Sequence, residues 1–399
     1  MILEQEKLDV SNKKRSNLFN WRGQFTPEFV EYILENFTKK GDHILDPFSG
    51  SGTVLQEAAR FDLTATGLEI NPSAYAMSRF FSFCNLPLAD RFDFINSFEI
   101  KLNSALCNLN GQKVYKDDPD YRIAYSELLA FSNRFRPTLT DKQQVVFFLN
   151  ILFKSERDKN LALKDSLYKS FSYAKDCLLG LPYTTKQINA KLMDARNAGD
   201  VLENEIDFII TSPPYINVFN YHQNYRAIIE EFKYDILKVA SSEFGSNRKN
   251  RGNRLKTVIQ YCIDMELAIR SFWKALKPNG QMVMIVGRES NVRGIPFYNG
   301  QLIIEILESC GGFSKVKVLE RQFINKFGVN IKEDIIVVSK SKCLQLEANI
   351  GRNIATLHLE SNLNTVEKDV YSDLMDAIAN SKFVDASPLF NANKIIKND

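Results

Sequence analysis

A glycine-rich turn directly after a predicted strand is the first segment whose residue types could do chemistry. The strand His43–Asp46 ends in an acid, and the turn Pro47–Thr53 (PFSGSGT) follows it. Gly50 and Gly52 allow the backbone to turn tightly and a ligand to lie against the main chain. The turn is neither the dinucleotide fingerprint nor a Walker loop, because it lacks the third glycine of the one and the lysine of the other. An acid beside such a turn suits a ligand with an ammonium group better than one with a phosphate.

A second acid, Glu69, ends the next predicted strand, Thr64–Ile70. An acid at this place commonly receives the hydroxyls of a ribose. The turn and this acid together predict a nucleoside site. An ordinary strand–helix turn with a surface glutamate is the alternative interpretation.

Two successive prolines follow a later apolar strand, Asp207–Ile210, in the segment Thr211–Tyr215 (TSPPY). Prolines cannot continue a central strand, so they stiffen the backbone just beyond its carboxyl end, where open α/β sheets bind ligands. The turn offers the Ser212 hydroxyl, the Pro213 carbonyl and the Tyr215 ring to one small volume. Two acceptors and a stacking ring suit a planar group that bears an amino group. The alternative is a strand terminator with a packing tyrosine.

The elements around the first turn predict a doubly wound α/β fold, because strand, glycine turn, helix and strand follow one another. One helix is predicted over Phe25–Phe37, with Thr26 as its N-cap, and another over Val54–Phe61. From residue 86 to residue 195 the pattern is largely helical, which predicts an insertion into this fold.

Strand and helix alternate again from Asp207 onwards. The runs Lys315–Phe323 and Asp334–Lys340 are expected to pair as an antiparallel edge of the sheet. Beyond about Lys342 the residues are polar and weakly patterned, so the sequence assigns no role to residues 342–399.

Composition narrows the possible functions. The chain has 399 residues, and 51 Lys and Arg against 48 Asp and Glu leave a net charge of only +3, so any polyanion site must come from local clustering. No apolar run has the length of a membrane span, and the first residues lack the apolar core of a signal peptide. Six separated cysteines and three histidines predict a reduced, cytoplasmic protein without a dedicated metal.

The two motifs, in this order, resemble those of the amino-group DNA methyltransferases, enzymes that use S-adenosylmethionine to modify cytosine N4 or adenine N6. Asp46–Thr53 resembles their cofactor loop, and Thr211–Tyr215 resembles their catalytic motif in the serine form usual for cytosine N4 enzymes. Phe25–Glu28 is similar to the cofactor-side motif, and Leu68–Pro72 to the ribose-binding segment. Gly199-Asp200 resembles the segment whose acid reaches the adenine ring.

The resemblance covers about residues 20–85 and 195–340 and implies a Rossmann-like class I methyltransferase sheet. It implies that Asp46 lies near the cofactor ammonium, that Glu69 binds the ribose and that Asp200 binds the adenine amine. The full set of cofactor-binding residues it implies is Phe25, Thr26, Asp46, Pro47, Phe48, Gly50, Gly52, Thr53, Glu69 and Asp200.

The catalytic residues implied by the resemblance are Ser212, Pro213, Pro214 and Tyr215. Ser212 and the Pro213 carbonyl would accept hydrogen bonds from the target amine, and Tyr215 would stack on a base flipped out of the duplex. Phe219 and Tyr221 are candidates for the pocket lining or, equally, for the core.

The implied division is a catalytic domain in two halves, residues 20–85 and 196–341, with the insertion 86–195 as the candidate target recognition region. The cluster Ser246–Lys256 has no acid and is predicted to contact DNA phosphates, a partnerless surface loop being the alternative. Its predicted DNA-binding residues are Arg248, Lys249, Arg251 and Arg254. The basic residues of the insertion are spread out and fit solvated helix faces equally well: Arg122, Arg134, Arg136, Lys142 and Lys154.

The function implied by the resemblance is methylation of cytosine N4 in double-stranded DNA, by a cytoplasmic enzyme paired with a restriction endonuclease that acts on the same site. Adenine N6 remains an alternative, because the preference associated with Ser212 is not absolute. An RNA base methyltransferase and a degenerate, non-enzymatic DNA-binding subunit are further alternatives. The intact loop and motif argue against the degenerate subunit.

Overall fold

The structure of the protein is a computed structural model that describes residues 3–107, 109, 122–158, 160–216, 221–245, 252–325 and 328–395. The described strands are β1 His43–Asp46, β2 Thr64–Glu69, β3 Ile188–Leu192, β4 Ile206–Thr211, β5 Leu276–Gly287, β6 Glu289–Val292, β7 Ile295–Tyr298, β8 Gly311–Ile324 and β9 Asn330–Leu344. The described α-helices are α1 Gln5–Asp9, α2 Pro27–Phe37, α3 Thr53–Arg60, α4 Pro72–Phe80, α5 Leu88–Cys107, α6 Arg122–Phe135, α7 Lys142–Arg157, α8 Leu163–Leu179, α9 Ala198–Val201, α10 Arg226–Glu231, α11 Ile236–Ser242, α12 Lys256–Ala275, α13 Asn299–Cys310, α14 Ile350–Glu360, α15 Lys368–Ala379 and α16 Ala392–Ile395.

A mixed sheet in the order β3-β2-β1-β4-β5-β9-β8 forms the centre of the molecule. Neighbours from β3 to β5 are parallel, whereas β9 is antiparallel to both β5 and β8. The predicted antiparallel edge is therefore confirmed, with longer strands than the sequence indicated. The chain leaves β1 towards β2 on one side and returns to β4 on the other. The carboxyl ends of β1 and β4 thus mark the point where the strand order reverses, which is where such sheets bind ligands.

Helices cover both faces of the sheet because successive residues of a strand point to opposite sides. In β1, Ile44 packs into an apolar layer with buried residues of α2 to α8. Its neighbour Leu45 packs into a second layer with residues of α9 and α12 to α15. The predicted doubly wound α/β fold is confirmed.

One strand lies where the sequence predicted helix. The edge strand β3 pairs in parallel with β2, and Leu192 lies opposite Glu69. Only Ile188 and Ala190 of this strand are fully buried, so its alternation is too weak to stand out from the helical pattern that precedes it. The helical prediction is wrong for residues 188–192, whereas α6, α7 and α8 confirm the helices predicted further upstream.

Smaller features refine the predictions. Helix α2 begins after Thr26, as predicted, but the Thr26 side chain makes no capping hydrogen bond.

The C-terminal segment forms α14, α15 and α16. Helix α14 approaches α12 so closely that a Cβ atom at Gly351 would lie 2.2 Å from the Cys262 carbonyl oxygen. Over the described ranges, no helix combines the length and apolarity needed to cross a bilayer.

Candidate active site

The reversal point of the sheet holds a buried acid. Asp46 ends β1, and its Oδ1 accepts a hydrogen bond of 2.7 Å from the hydroxyl of Thr211, which ends β4. The same oxygen accepts a bond of 3.2 Å from the Phe48 backbone N–H. Asp46 therefore ties the end of β1 both to the glycine turn and to the strand that precedes the Ser212–Tyr215 segment.

Glu69 holds the glycine turn against the end of β2. Its Oε2 accepts a bond of 2.9 Å from the Gly50 backbone N–H. Its Oε1 accepts a bond of 2.8 Å from the Asn71 backbone N–H. Carboxylate oxygens can each accept more than one hydrogen bond, so Glu69 keeps acceptor capacity for a ligand hydroxyl.

Both predicted turn glycines adopt a left-handed backbone, with φ of 49° at Gly50 and 89° at Gly52. A Cβ atom at Gly52 would lie 2.8 Å from the Ser78 Cα and 2.7 Å from the Phe81 ring. At Gly50 it would lie 3.3 Å from the Trp21 ring. Gly52 is thus required for packing of the turn on α4, and Gly50 for the space between the turn and Trp21.

Burial changes the acidity of both carboxyl groups. Loss of hydration raises the pKa of Asp46 to about 7, against the lowering effect of the hydrogen bond from Thr211. Burial also raises the pKa of Glu69 to about 7, and the nearby Asp46 contributes in the same direction. Both groups therefore titrate near neutral pH, where a positively charged ligand would favour their ionised forms.

The Ser212–Tyr215 segment follows β4 on the same side of the sheet. The Ser212 Oγ lies 3.3 Å from the Tyr215 hydroxyl, which also donates a bond of 3.2 Å to Glu333 Oε1. The ring fills the space over Gly287, where a Cβ atom would lie 2.8 Å from the Tyr215 Cε2. The ring is thus held in one orientation by hydrogen bonds at its tip and by backbone contact at its edge.

A single cavity joins the glycine turn to this segment. The predicted site residues that line it are Phe25, Asp46, Pro47, Phe48, Gly50, Thr53, Glu69, Ser212, Pro214, Tyr215 and Arg254. The structure does not bring Thr26, Gly52, Pro213 or Asp200 into the lining. Gly52 and Pro213 are next to lining residues and support them. Among the described residues, no group of three or more metal-binding side chains comes together.

Asp200, predicted to bind an adenine ring, lies away from the cavity. It is exposed on α9, where it accepts a hydrogen bond of 3.0 Å from the Lys274 Nζ. The residues that line the cavity from this side are Met193, Asp194 and Ala195 instead, directly after β3. Asp200 was predicted from the resemblance of Gly199-Asp200 to a family segment, whereas β3 and the residues that follow it were not predicted.

Asp194 is fixed by a buried network that includes the C-terminal segment. Arg196 donates to both oxygens of Asp194, at 2.9 and 2.7 Å, and donates to Asp264 at 2.9 Å. Asp264 also accepts bonds of 2.8 and 2.7 Å from the backbone N–H and hydroxyl of Ser387. A fourth bond to Asp264, of 3.0 Å, comes from the Gly245 backbone N–H. Two cavity-lining segments are therefore held together by residues near the C-terminus.

Replacing Asp264 by alanine is expected to lower the free energy of unfolding by about 3–5 kcal/mol, because Arg196 would stay buried without one of its two carboxylate partners. Arg196 and Asp264 have side chains only 2% and 0% exposed. The matched control is Asp373→Ala, which removes a half-exposed ion pair of 3.1 Å with Arg293 and should cost less than about 1 kcal/mol. Urea denaturation of both variants measures the difference. Equal losses would contradict the assigned role of the buried network.

The sequence reasoning missed several residues that line the cavity: Trp21, Gln24, Asn71, Met193, Asp194, Ala195, Glu243, Phe244 and Gly245. Trp21 stacks on Tyr221, with ring centroids 5.9 Å apart and an angle of 17°. Tyr221, a candidate for either pocket or core, lines the cavity. Gln24 accepts a bond of 2.7 Å from the Ser51 hydroxyl, which ties the N-terminal segment to the glycine turn. No local pattern could have identified these contacts, since they join distant segments.

The predicted phosphate-contacting loop is described only in part. Arg248, Lys249 and Arg251 lie outside the described residues, as does Phe219. Arg254, at the end of the same cluster, lines the cavity. Its prediction as a DNA contact stays a prediction.

The family model N6_N4_Mtase, described as DNA methylase, matches residues 2–80. The Type II methyltransferase M.MjaII of Methanocaldococcus jannaschii is 36% identical over 67 residues, which are 16% of this chain and 13% of that protein. The Type II methyltransferase M.BsoBI of Geobacillus stearothermophilus is 23% identical over 284 residues, or 57% of this chain and 55% of that protein. The chain thus spans only about half, or less, of the length of these curated relatives.

The solved structure of TrmN from Thermus thermophilus superposes on 80% of this chain and 50% of its own, with 13% identity and a TM-score of 0.35. Because this TM-score is low, the fold is assigned from the strand order of the sheet and not from this superposition. The matched segment contains the Asp46–Thr53 turn and Glu69, which form one wall of the cavity. Residues 2–80 of this chain are thus similar to a DNA methylase family, and the two curated relatives above are Type II methyltransferases.

Proposed function

We propose that this protein is a DNA methyltransferase that transfers a methyl group from S-adenosylmethionine to the exocyclic N4 amine of cytosine. The observation that carries the proposal is the single cavity lined by the glycine turn, by Glu69 and by Ser212 and Tyr215. A cofactor held at the first two can meet an amine held at the last two without leaving this cavity. The match of residues 2–80 to a DNA methylase model supports the choice of polymer.

The residues present fit the cofactor. Asp46 supplies a buried carboxylate for its ammonium group, and Glu69 supplies acceptors for its ribose hydroxyls. Phe48 packs edge-on against Phe244, with ring centroids 5.2 Å apart, and both rings line the cavity as an apolar surface. We assign the adenine end to the backbone around Met193 rather than to Asp200.

The bound cofactor supplies an electrophilic methyl group on a sulfonium. The Ser212 hydroxyl, which lines the cavity, accepts a hydrogen bond from one hydrogen of the target amine. For the other hydrogen the proposed acceptor is the carbonyl of Pro213, which lies between the lining residues Ser212 and Pro214, and the two bonds free the nitrogen lone pair for attack. The cofactor, held by the glycine turn and Glu69, would supply its methyl group to this nitrogen and leave as the neutral thioether, and the methylated amine would release a proton to water. Positioning and polarisation by these fixed groups provide most of the acceleration. Tyr215 stacks on the flipped base and keeps its amine in line.

Cytosine is preferred over adenine because Ser212 stands at the first position of the catalytic segment. Adenine N6 is the second candidate, since the serine does not by itself exclude it. The two Type II methyltransferases among the relatives favour a further expectation, a restriction endonuclease that acts on the same DNA site.

Nucleoside analysis distinguishes these products. Purified protein is incubated with S-adenosylmethionine and unmodified DNA, with RNA in parallel, and the polymers are digested and analysed by mass spectrometry. N4-methylcytosine from DNA is the expected product. N6-methyladenine from DNA would overturn the base preference but keep the mechanism, and a methylated base from RNA alone would overturn the choice of polymer.

Cofactor affinity should depend on pH around 7. Burial raises the pKa of Asp46 and of Glu69 to about 7, so below that value Asp46 is protonated and cannot pair with the cofactor ammonium, and protonated Glu69 is a weaker acceptor for the ribose hydroxyls. As the pH decreases from about 7 to about 5, each carboxylate that takes up a proton should lower the affinity for S-adenosylmethionine by about tenfold per pH unit. Without cofactor, the free energy of unfolding changes with pH in the opposite direction. A folded-state pKa above the unfolded value stabilises at low pH, and this stability is lost as the pH rises through about 7. Calorimetric titration measures the affinity, and a constant affinity over this range would contradict the assigned contacts.

A further inference from the structure

A second, larger cleft adjoins the cofactor cavity, and the proposed reaction makes no use of it. Its volume is about 1330 Å³. Three distant segments form its walls: residues 9–26, the insertion helices α7 and α8, and, from the β8–β9 hairpin, residues 321–325 and Asn330. We call it the insertion cleft. Trp21, Gly23, Gln24 and Phe25 line both this cleft and the cofactor cavity, so only this short segment separates the two.

Two cations of the insertion stand on the wall of the cleft. Lys154 and Arg157 are exposed on α7, three positions apart, and therefore lie on the same side of the helix. The Lys154 Nζ lies 4.2 Å from the ring centroid of Tyr173, and the Arg157 guanidinium lies 5.0 Å from that of Tyr225. An aromatic ring orients a cation without neutralising it, so both charges stay available to a ligand.

The charges of the whole lining favour an anion. The basic residues that line the cleft are Lys13, Lys154, Arg157, Lys169 and Arg321, and the acidic ones are Asp9 and Asp158. Asp158 is paired with Lys169 at 2.7 Å. Asp9 accepts a bond of 2.7 Å from the Gln322 backbone N–H. Three cations, Lys13, Lys154 and Arg157, remain without a carboxylate partner in the described part of the chain. This local excess of positive charge contrasts with the nearly balanced charge of the whole chain.

Two polar side chains in the wall are buried with unmet hydrogen-bonding capacity. Arg321 and Asn150 are each only 4% exposed. The Arg321 guanidinium lies over the Phe29 ring, and although its Nε is 3.2 Å from Glu333, neither Nε nor Nη1 makes a hydrogen bond. Asn150 donates to two backbone carbonyls, but its Oδ1 accepts no bond. Both side chains therefore place polar groups within the wall of the cleft.

From these observations we infer that the insertion cleft binds the DNA strand that carries the target base, an inference that rests on the proposed function. Lys13, Lys154 and Arg157 contact its phosphates, because they are the lining cations that no carboxylate neutralises in the described part of the chain. A nucleotide flipped from a strand in this position passes Phe25 to reach Ser212 and Tyr215. The helical insertion is therefore part of the DNA interface through α7 and α8.

The test is the salt dependence of DNA binding by the double variant Lys154→Gln/Arg157→Gln. A fluorescent mixed-sequence duplex is titrated with protein at several NaCl concentrations, and fluorescence anisotropy is recorded. Loss of two phosphate contacts should make the plot of log K against log salt less steep by about 1.8 and weaken binding roughly tenfold to a hundredfold. S-adenosylmethionine affinity should not change, since neither residue lines the cofactor cavity.

The matched control is Lys142→Gln/Lys164→Gln, which removes two exposed charges from α7 and α8 outside the cleft and should leave the slope unchanged. If the wild-type protein methylates DNA and the variant Lys154→Gln/Arg157→Gln keeps the wild-type slope, the inference is overturned and the proposed function is left intact. A wild-type protein that binds cofactor and single-stranded RNA but neither binds nor methylates DNA would overturn both.

Discussion

Replacing Tyr215 by alanine should lower kcat/KM for DNA methylation by about a hundredfold, while the affinity for S-adenosylmethionine is retained. In the proposed mechanism the ring is the stacking surface for the flipped base, and its hydroxyl lies 3.3 Å from the Ser212 Oγ and 3.2 Å from Glu333 Oε1. Alanine removes both and opens a gap over Gly287. Transfer of a labelled methyl group to DNA measures the rate, and calorimetry measures the affinity.

The control is Tyr215→Phe, which keeps the ring and loses only the two hydrogen bonds. Its kcat/KM should fall by about tenfold or less. Turnover of the alanine variant at the wild-type rate would show that Tyr215 does not act on the substrate. If kcat/KM fell equally in both variants, the effect would come from the hydroxyl, which orients Ser212, and not from stacking of the ring.

Replacing Gly50 by valine should weaken binding of S-adenosylmethionine by at least about a hundredfold, because two effects act on the same turn. Gly50 has φ of 49°, a backbone conformation that a β-branched residue rarely adopts. Its N–H also donates to Glu69 Oε2 at 2.9 Å, so a shift of the turn displaces the ribose-binding acid. Calorimetric titration measures the affinity.

The control variant Gly41→Val distinguishes the effect of backbone strain from the loss of the cofactor site. Gly41 has φ of 94°, and a Cβ atom there meets nothing within 4 Å, so the variant carries backbone strain alone. It should lose stability of about 1–3 kcal/mol and keep its cofactor affinity. Wild-type affinity in Gly50→Val would remove the turn from the cofactor site.

The central part of the fold and both walls of the site could be predicted because their signals are local. Strand β1, the turn after it and Glu69 at the end of β2 lie within one short stretch of chain. The prolines after β4 likewise follow directly from an apolar strand. In each case a strand end supplies the acid or the hydroxyl, and the sheet order then brings the strand ends together.

The cavity wall after β3, to which we assign the adenine end, could not be predicted because β3 is an edge strand with little burial. Only two of the five residues of β3 are fully buried, so no clear alternation distinguishes it. The resemblance of Gly199-Asp200 to a family segment indicated Asp200 instead, but this residue lies on α9 and pairs with Lys274.

Long-range contacts explain the other features of the structure that the sequence did not predict. Ser387 reaches Asp264 across 123 positions of sequence, which gives the C-terminal segment a structural role that its composition does not indicate. The insertion cleft is formed by three segments that are far apart in the chain. Periodicity and short motifs describe neighbours in sequence, so neither feature could be found from them.

A crystal structure with S-adenosylhomocysteine, the product left after methyl transfer, would show whether one cavity serves both the cofactor and the target amine. We expect this ligand between the Asp46–Thr53 turn and Glu69, with its ribose hydroxyls at the Glu69 carboxylate and its sulfur facing Ser212. A ligand bound in the insertion cleft, or one whose sulfur faces away from the Ser212–Tyr215 segment, would contradict the claim that one cavity serves both the cofactor and the target amine.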